Sequence, residues 1–320
     1  MQSNNHLTQC KQLFKIGPSY ICLKCLQHLD NKRVESFGGH YSVWINNNRF
    51  KVFEKWLYAE FSEEIDFWKS QDETAISFPK VKEAPIWFCW LQGMEVMPAL
   101  PMAMFTQVKR HSGGHPVHFI CEDNLNQYVQ LPRHVFDKYK NHKISAAFYT
   151  DIIRFALLRE YGGLWVDSTV FINKDIDDTI FDLAFWNVKG LDRRFKYCTT
   201  IIGARDWQSY ALASQPNSLF SRMVFDLLIK YTEKYDSILE YFFVFYLAKI
   251  ARESVPIIRN EYHLIPENNT RCELLQTYLL DKSIDICDIR ENDTWLYKLS
   301  RHIWNDEYIG IINDVMSSDL

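Results

Sequence analysis

The chain has 320 residues, 47% of them apolar and 15% aromatic, with a formal net charge of -4. That composition supplies a large packed core in one large domain or two ordinary ones, and a slightly acidic chain without a basic block lacks the clustered positive footprint that nucleic acid requires. Eight cysteines lie at positions 10, 22, 25, 89, 121, 198, 272 and 287, with no signal-like start and no apolar run near 20 residues. A cytoplasmic protein with reduced thiols and no transmembrane segment is therefore expected.

Residues 1–80 read as an N-terminal helical extension. The segment 9–29 is apolar at helical spacing and broken at Gly17-Pro18, and its Cys22 and Cys25 have no second pair with which to hold zinc. The segment 50–70 sets Phe53, Trp56, Leu57, Phe61, Ile65 and Trp68 on one stripe. Its polar face carries more acid than base and would be repelled by anionic lipid, so docking onto the body of the protein is expected, with peripheral membrane contact left open. The polar, proline-punctuated stretch 70–82 marks a boundary with a second unit, 81–320.

The first strand is expected at Ile86–Leu91, an apolar run closed by Gln92-Gly93 that suits a buried parallel strand opening onto a ligand. A helix at about 98–110, a turn at Gly113-Gly114 and a strand at 117–121 complete a β-α-β unit, which implies a parallel sheet in an α/β fold. Glu122 and Asp123 then stand at a strand end, where acids either accept ribose hydroxyls or cap the next turn. Residues 125–143 read as a surface segment with solvated His134 and His142.

The stretch 144–172 organises the chain. Phe148, Ile152, Phe155 and Leu158 recur at helical spacing, widened by Ile153, Ala156 and Leu157 into a mostly buried stripe. Asp151 and Arg154 interrupt that stripe three residues apart, so one helix face presents an acceptor and a planar cation together. Gly162-Gly163 stops the helix, and Leu164-Trp165-Val166 restarts the chain as a strand that delivers Asp167, Ser168 and Thr169 at its carboxyl end. Asp175, Asp177 and Asp178 fail the calcium-loop pattern and read as capping residues. Strands are expected at 185–189 and 198–204, and helices at about 217–235 and 238–251. Neither a Walker loop, a Gly-x-Gly-x-x-Gly nor a Ser-His-Asp arrangement is discernible.

Four elements in order, Ser145-Ala146-Ala147, the Asp151 to Arg154 pair, Gly162-Gly163 and Asp167-Ser168-Thr169, resemble a sugar-transferase group that includes capsular polysaccharide synthesis proteins, initiating mannosyltransferases and glucosylating toxins. The likeness extends more weakly from about Pro85 to the C-terminus and is nearest to the capsular branch. It implies a GT-A-like nucleotide-diphospho-sugar transferase core, with a nucleotide-binding part at about 81–205 and an acceptor-side helical part at about 206–320. It further implies a nucleotide-sugar donor, most simply a UDP-sugar, an oligosaccharide or lipid-linked acceptor, Mn²⁺ or Mg²⁺ as cofactor, and transfer with retention at or near the inner face of the cytoplasmic membrane.

By matching position, Trp90 would face the base beside Gln92, Asp151 and Arg154 would orient the donor, and Asp167 would hold the metal with Ser168 in the nucleotide site. Lys298 is a candidate for the diphosphate, with His302 and Asn305 behind it, the alternative being a solvated lysine on a terminal helix. Two departures keep a non-catalytic carbohydrate-binding or scaffold role open as an alternative. Ser168 and Thr169 are neutral where a second carboxylate is common, and Phe245 stands where an acid often follows the Tyr-Phe pair. The chemistry itself asks for a hard oxygen ligand such as Asp167, because glycosyl transfer builds negative charge on a leaving diphosphate that a dication stabilises.

Overall fold

All four residues of Ile86–Cys89 (β1) are buried, the pattern of a strand covered on both faces. β1 pairs in parallel with Val117–Ile120 (β2) on one side and with Gly163–Val166 (β3) on the other. Ala211–Ser214 (β6) then adds antiparallel to β3, and Phe185–Asn187 (β5) adds antiparallel to β6, so the sheet order is β2-β1-β3-β6-β5. The structure, a computed structural model, describes residues 12–71, 77–281, 284–285, 287–290, 294–300, 310 and 312. The α/β core expected from the sequence is present.

The helix that feeds β3 is Ala146–Tyr161. Its start is fixed by Ser145, whose hydroxyl accepts from the Phe148 N–H at 3.2 Å. Its end is fixed by Gly162, whose N–H bonds to Leu158 O at 3.0 Å in a left-handed turn with φ of 65°. Gly163 follows at φ 89°, and a Cβ there would lie 2.0 Å from Pro85 O. A Cβ on Gly162 would lie 2.6 Å from both Ser214 O and Pro216 N. The glycine pair therefore lets the chain slip between the start of β1 and the end of β6, where Leu164 N–H bonds to Pro85 O at 2.8 Å.

The remaining described helices, numbered in chain order with Ala146–Tyr161 as α6, are Pro18–Phe37 (α1), Val43–Glu60 (α2), Ser62–Lys69 (α3), Ala99–Arg110 (α4), Arg133–Lys140 (α5), Leu219–Lys234 (α7), Phe243–Ser254 (α8), Pro256–Leu264 (α9), Leu274–Asp281 (α10) and Cys287–Arg290 (α11). α1 begins at the expected Gly17-Pro18 break. The aromatic stripe of α2 and α3 turns inward: Phe53 stacks on Tyr20 at 5.4 Å and meets Tyr246 edge-on at 4.7 Å, while the Trp68 indole donates to Asp226 at 2.8 Å. The buried Glu240 carboxylate accepts from both Tyr20 and Arg49, which ties α1 and α2 to the segment before α8. That stripe is core and is not available to a membrane surface. No helix among the described residues is long and apolar enough to cross a membrane.

Four local expectations are corrected. Residues 198–204 form turns rather than a strand, since Cys198, Thr200 and Ala204 N–H groups bond back three residues, and the strand beside β3 is instead the short β6. The β6 sequence Ala-Leu-Ala-Ser is small and brief enough to leave little periodic signal. The expected helix at 238–251 starts only at Phe243, and the surface segment 125–143 contains α5, with His134 bonded to Thr232 Oγ1 at 3.0 Å. Lys298 sits on a strand, Leu296–Lys298 (β7), paired antiparallel with Val170–Ile172 (β4), and not on a terminal helix.

The glycine pair yields a stability test. Gly93 also has a left-handed φ, 92°, but open space around its Cβ direction, so Gly93→Ala should cost about 1 kcal/mol from backbone strain alone. Gly163→Ala adds a collision with the backbone of Pro85 and should cost about 3 kcal/mol or more in urea denaturation. Equal losses in the two variants would mean that the β1–β3 approach is not the constraint.

Candidate active site

The carboxyl ends of β1, β2 and β3 open on one side of the sheet, where a ligand crevice forms in α/β folds. In register, Phe88 lies beside Val166, so the residues that follow, Cys89-Trp90 and Asp167-Ser168, emerge next to each other. Above them the middle of α6 presents Asp151 and Arg154. Side chains three residues apart share a helix face, which is why both point to the same crevice.

Arg154 is the centre of this arrangement. Its side chain is 4% exposed, and its Nη2 donates to Asp167 Oδ1 at 2.9 Å. Nη1 lies 2.9 Å from Asp151 Oδ1, but its N–H is not directed at that oxygen, so this is an ionic contact without a hydrogen bond. Nε and Nη1 are buried and have no hydrogen-bond partner among the described residues. A buried guanidinium with two unsatisfied nitrogens is an unfavourable arrangement that a ligand oxygen would relieve.

Asp167 also accepts from the Trp165 indole at 2.7 Å, and the Trp165 ring carries the Arg154 guanidinium at 5.0 Å. Both hydrogen bonds fall on Oδ1, and Oδ2 has no hydrogen bond among the described residues. The Asp167 N–H bonds to Tyr210 O at 2.8 Å and its carbonyl accepts from Val170 N–H at 2.9 Å, so the Ser168-Thr169 turn is held at both ends. Burial pushes the Asp151 carboxyl up to about 6; Arg154 opposes the shift and Asp167 adds to it.

The other expected residues are placed as follows. Trp90 is half-buried directly after β1, and its indole N–H is buried without a partner among the described residues. Gln92 is exposed two residues on, and Ser168 is half-buried in the turn after Asp167. Lys298 stands opposite Val170 in the β4–β7 pair, where its ammonium donates to Thr169 Oγ1 and lies 5.6 Å from the centre of the Tyr210 ring. Glu122 reaches the neighbouring strand end but is taken by Tyr139, at 2.8 Å, and by Lys140. Those two bonds outweigh partial burial and hold its carboxyl below the usual range. Asn124 locks the adjacent turn through Cys121 N–H and Phe119 O, and Asp177 caps Thr179 as expected. Phe245 is core, meeting Trp207 edge-on at 4.9 Å, so the acid absent at that position leaves no gap in the site. His302 and Asn305 lie outside the described residues.

One contributor had a sequence signal that went unread. Trp165 is two residues before Asp167 on one strand, and residues at that spacing share a face. Tyr210 had none, since it is brought to the Asp167 turn only by the pairing of β6 with β3. Among the described residues no group of three or more His, Cys, Asp or Glu side chains is placed to hold a metal ion. Any dication here would therefore rest on Asp167 together with oxygens brought by a ligand.

A family model described as "Capsular polysaccharide synthesis protein" matches residues 37–308. Among solved structures, "PaToxG Glycosyltransferase" is similar at 13% identity with a TM-score of 0.40, covering 84% of this chain and 96% of that one. "WbbM bifunctional glycosytransferase apo structure" is similar at 12% identity with a TM-score of 0.28, covering 58% of this chain and 47% of that one. Both likenesses are too slight to bear on the site. No curated protein matches the chain.

The two-carboxylate contact of Arg154 sets a pH-dependent stability. Arg154→Met leaves Asp151 and Asp167 facing each other without a cation and should cost about 3–5 kcal/mol at pH 8. The folded Asp151 pKa lies above its unfolded value and rises further without Arg154, so the carboxyl is neutral at pH 5 and the loss should shrink there. Thermal melts of the variant against wild type at pH 5 and pH 8 check this, and an equal loss at both values would contradict the coupling.

Proposed function

The chain belongs to the capsular polysaccharide synthesis family of glycosyltransferases, and from that premise we propose that the crevice beyond β1 and β3 binds a nucleotide-diphospho-sugar with a divalent cation and passes the sugar to a saccharide acceptor. The observation that carries this reading is the buried Arg154, held between Asp151 and Asp167 with Nε and Nη1 unsatisfied. A diphosphate or a donor-sugar hydroxyl supplies the oxygens that those nitrogens lack.

The residues fit a cation of the Mg²⁺ or Mn²⁺ kind. Asp167 is a hard oxygen ligand whose Oδ2 is not engaged by the described residues, and the small number of protein carboxylates suits ions that keep water and phosphate in their coordination shell. When bound, such an ion offsets the charge that develops on the leaving diphosphate. The neutral Ser168-Thr169 pair makes the site weaker for metal alone than one with two carboxylates, so metal and donor should bind together. Lys298 contributes a second positive charge at Thr169 of the same turn, and charges fixed before reaction need no reorganisation as the bond breaks.

Trp90 offers its ring to the base and its indole N–H to a polar atom of the nucleotide, with Gln92 at the solvent side. The resemblance favours a uridine nucleotide. The resemblance also favours retention, with the departing phosphate oxygen taking the acceptor proton on the same face. The GT-A-like core would then bind the donor through about residue 205, with the helical part beyond 206 facing an oligosaccharide or lipid-linked acceptor. The free thiols of the seven described cysteines suit a cytoplasmic location.

Nucleotide sugars screened for Mn²⁺-dependent hydrolysis provide the primary test, with turnover expected for at least one donor. Asp167→Asn keeps shape and hydrogen bonding but removes the charge that draws a dication, so that turnover should fall by orders of magnitude while metal-free nucleoside binding persists. Turnover of Asp167→Asn equal to wild type at subsaturating metal would remove the metal role. Separately, Trp90→Ala should weaken nucleotide binding by about 1–3 kcal/mol in titration calorimetry, the range for a base stacked on an aromatic ring. Unchanged affinity in a folded variant would take Trp90 out of the site.

A further inference from the structure

Of the three buried arginines among the described residues, Arg49 is paired with Glu240 and Arg154 with Asp151 and Asp167, but Arg252 of α8 has no ion pair. It is 7% exposed, its Nη1 makes one long contact with Asp206 O at 3.5 Å, and its Nε and Nη2 have no hydrogen bond among the described residues. The same Asp206 oxygen accepts from Asn187 Nδ2, at the end of β5, at 3.1 Å and from the Tyr262 hydroxyl of α9 at 2.9 Å. The Tyr262 ring carries two cations, with the Arg252 guanidinium 4.6 Å and Lys189 Nζ 4.2 Å from its centre. Lys189 Nζ is held there by Ile265 O at 2.8 Å and Tyr262 O at 3.3 Å. The acids whose charge reaches this pair, Asp206, Glu253 and Glu267, are exposed, and none lies within ion-pair distance of either cation. Burial holds both cations below their ordinary pKa values, and Arg252 adds to the shift at Lys189.

We propose that Arg252, with Lys189 beside it, binds an acidic group, a carboxylate or a phosphate, carried by the saccharide acceptor. This rests on the donor-site reading above, which gives the ends of β1 and β3 to the nucleotide sugar. β6 runs antiparallel to both β3 and β5, so β5 has the direction of β3 and its carboxyl end opens on the side of Asp167. Lys189 leaves the sheet there two strand spacings from β3, about 10 Å, outside the donor crevice but on the same edge. With Nη1 turned to Asp206 O, the free Nε–Nη2 edge of Arg252 is the planar fork that takes the paired oxygens of a carboxylate or phosphate. A Cβ on Gly203 would meet nothing nearer than Asp206 Oδ2 at 3.6 Å and Arg252 Nη2 at 3.9 Å, so a small group fits between those two side chains. An acidic sugar suits that space, with its anion on Arg252 and a neighbouring hydroxyl donating to Asp206. A neutral sugar leaves the buried cation uncompensated, and that difference is the source of selectivity.

Ligand-observed NMR titration of the full chain with methyl glucuronide, glucose 1-phosphate and methyl glucoside tests this. Wild type should bind at least one of the two acidic sugars about tenfold or more tightly than methyl glucoside, the least that one charge-assisted hydrogen bond supplies. A preference for methyl glucuronide assigns an acidic sugar residue, and a preference for glucose 1-phosphate assigns the phosphate of a phosphorylated or lipid-linked acceptor; either supports the proposal. Arg252→Gln should bring the acidic sugar down to the affinity of methyl glucoside while leaving methyl glucoside itself unchanged. Arg252→Lys keeps the charge over Tyr262 but loses the fork, and should bind the acidic sugar about fivefold or more weakly than wild type with its melting temperature close to that of wild type. Wild type that does not distinguish charged from neutral sugars, a measurement that needs no variant, overturns the proposal. So does a preference that persists in Arg252→Gln and Arg252→Lys, since the anion would then sit at Arg154 and Lys298. Hydrolysis of no nucleotide sugar, with the Arg252-dependent preference intact, overturns the donor-site reading and leaves the acid site standing.

Discussion

The structure depends on one buried cation. Arg154 is removed from water on a helix that is otherwise apolar, and a lone guanidinium there would be strongly unfavourable. Two carboxylates make the position tenable, and they come from different elements. Asp151 shares the helix face, whereas Asp167 is thirteen residues away and must be brought back by the fold. From Arg154 to the end of α6 the chain travels about 10 Å at the helical rise, and from Gly163 to Asp167 it returns about 13 Å at the strand rise. The near match of those lengths returns Asp167 to the level of Arg154, provided the turn between them is tight.

That condition explains the glycine pair and the sheet around it. A turn this tight passes within collision distance of Pro85 and of the β6 exit, so neither Gly162 nor Gly163 has room for a side chain. Burial of β3 on both faces then needs a partner on each edge, supplied by parallel β1 and antiparallel β6. β6 is also the strand whose leading residue, Tyr210, pins the backbone of Asp167. The N-terminal helices are anchored elsewhere, on Glu240 and the aromatic face of α8, and so brace the helical layer without entering the crevice.

The legible part of the site in sequence was the part built from local spacing. The Asp151 to Arg154 interval, the Gly162-Gly163 break and the strand-end Asp167 each rest on helix or strand periodicity, and the structure brings all three together. Trp165 obeyed the same periodicity and could have been added. What was not legible depends on long-range pairing. Lys298 read as part of a helix because nothing nearby announces that Leu296–Lys298 will pair with β4, more than a hundred residues earlier. The strand expected at 198–204 had β-branched residues but no partner, while the true neighbour of β3 was four small residues.

The central claim is that Asp167 and a ligand diphosphate share a divalent cation in the crevice that Arg154 organises. The most direct measurement is the anomalous scattering of Mn²⁺ in crystals grown with a nucleotide sugar. The account predicts one manganese peak about 2.1 Å from Asp167 Oδ2, bridged to the diphosphate, with Arg154 still on Oδ1. A donor bound in the crevice with the manganese elsewhere, or with Asp167 contacting only protein, would contradict it.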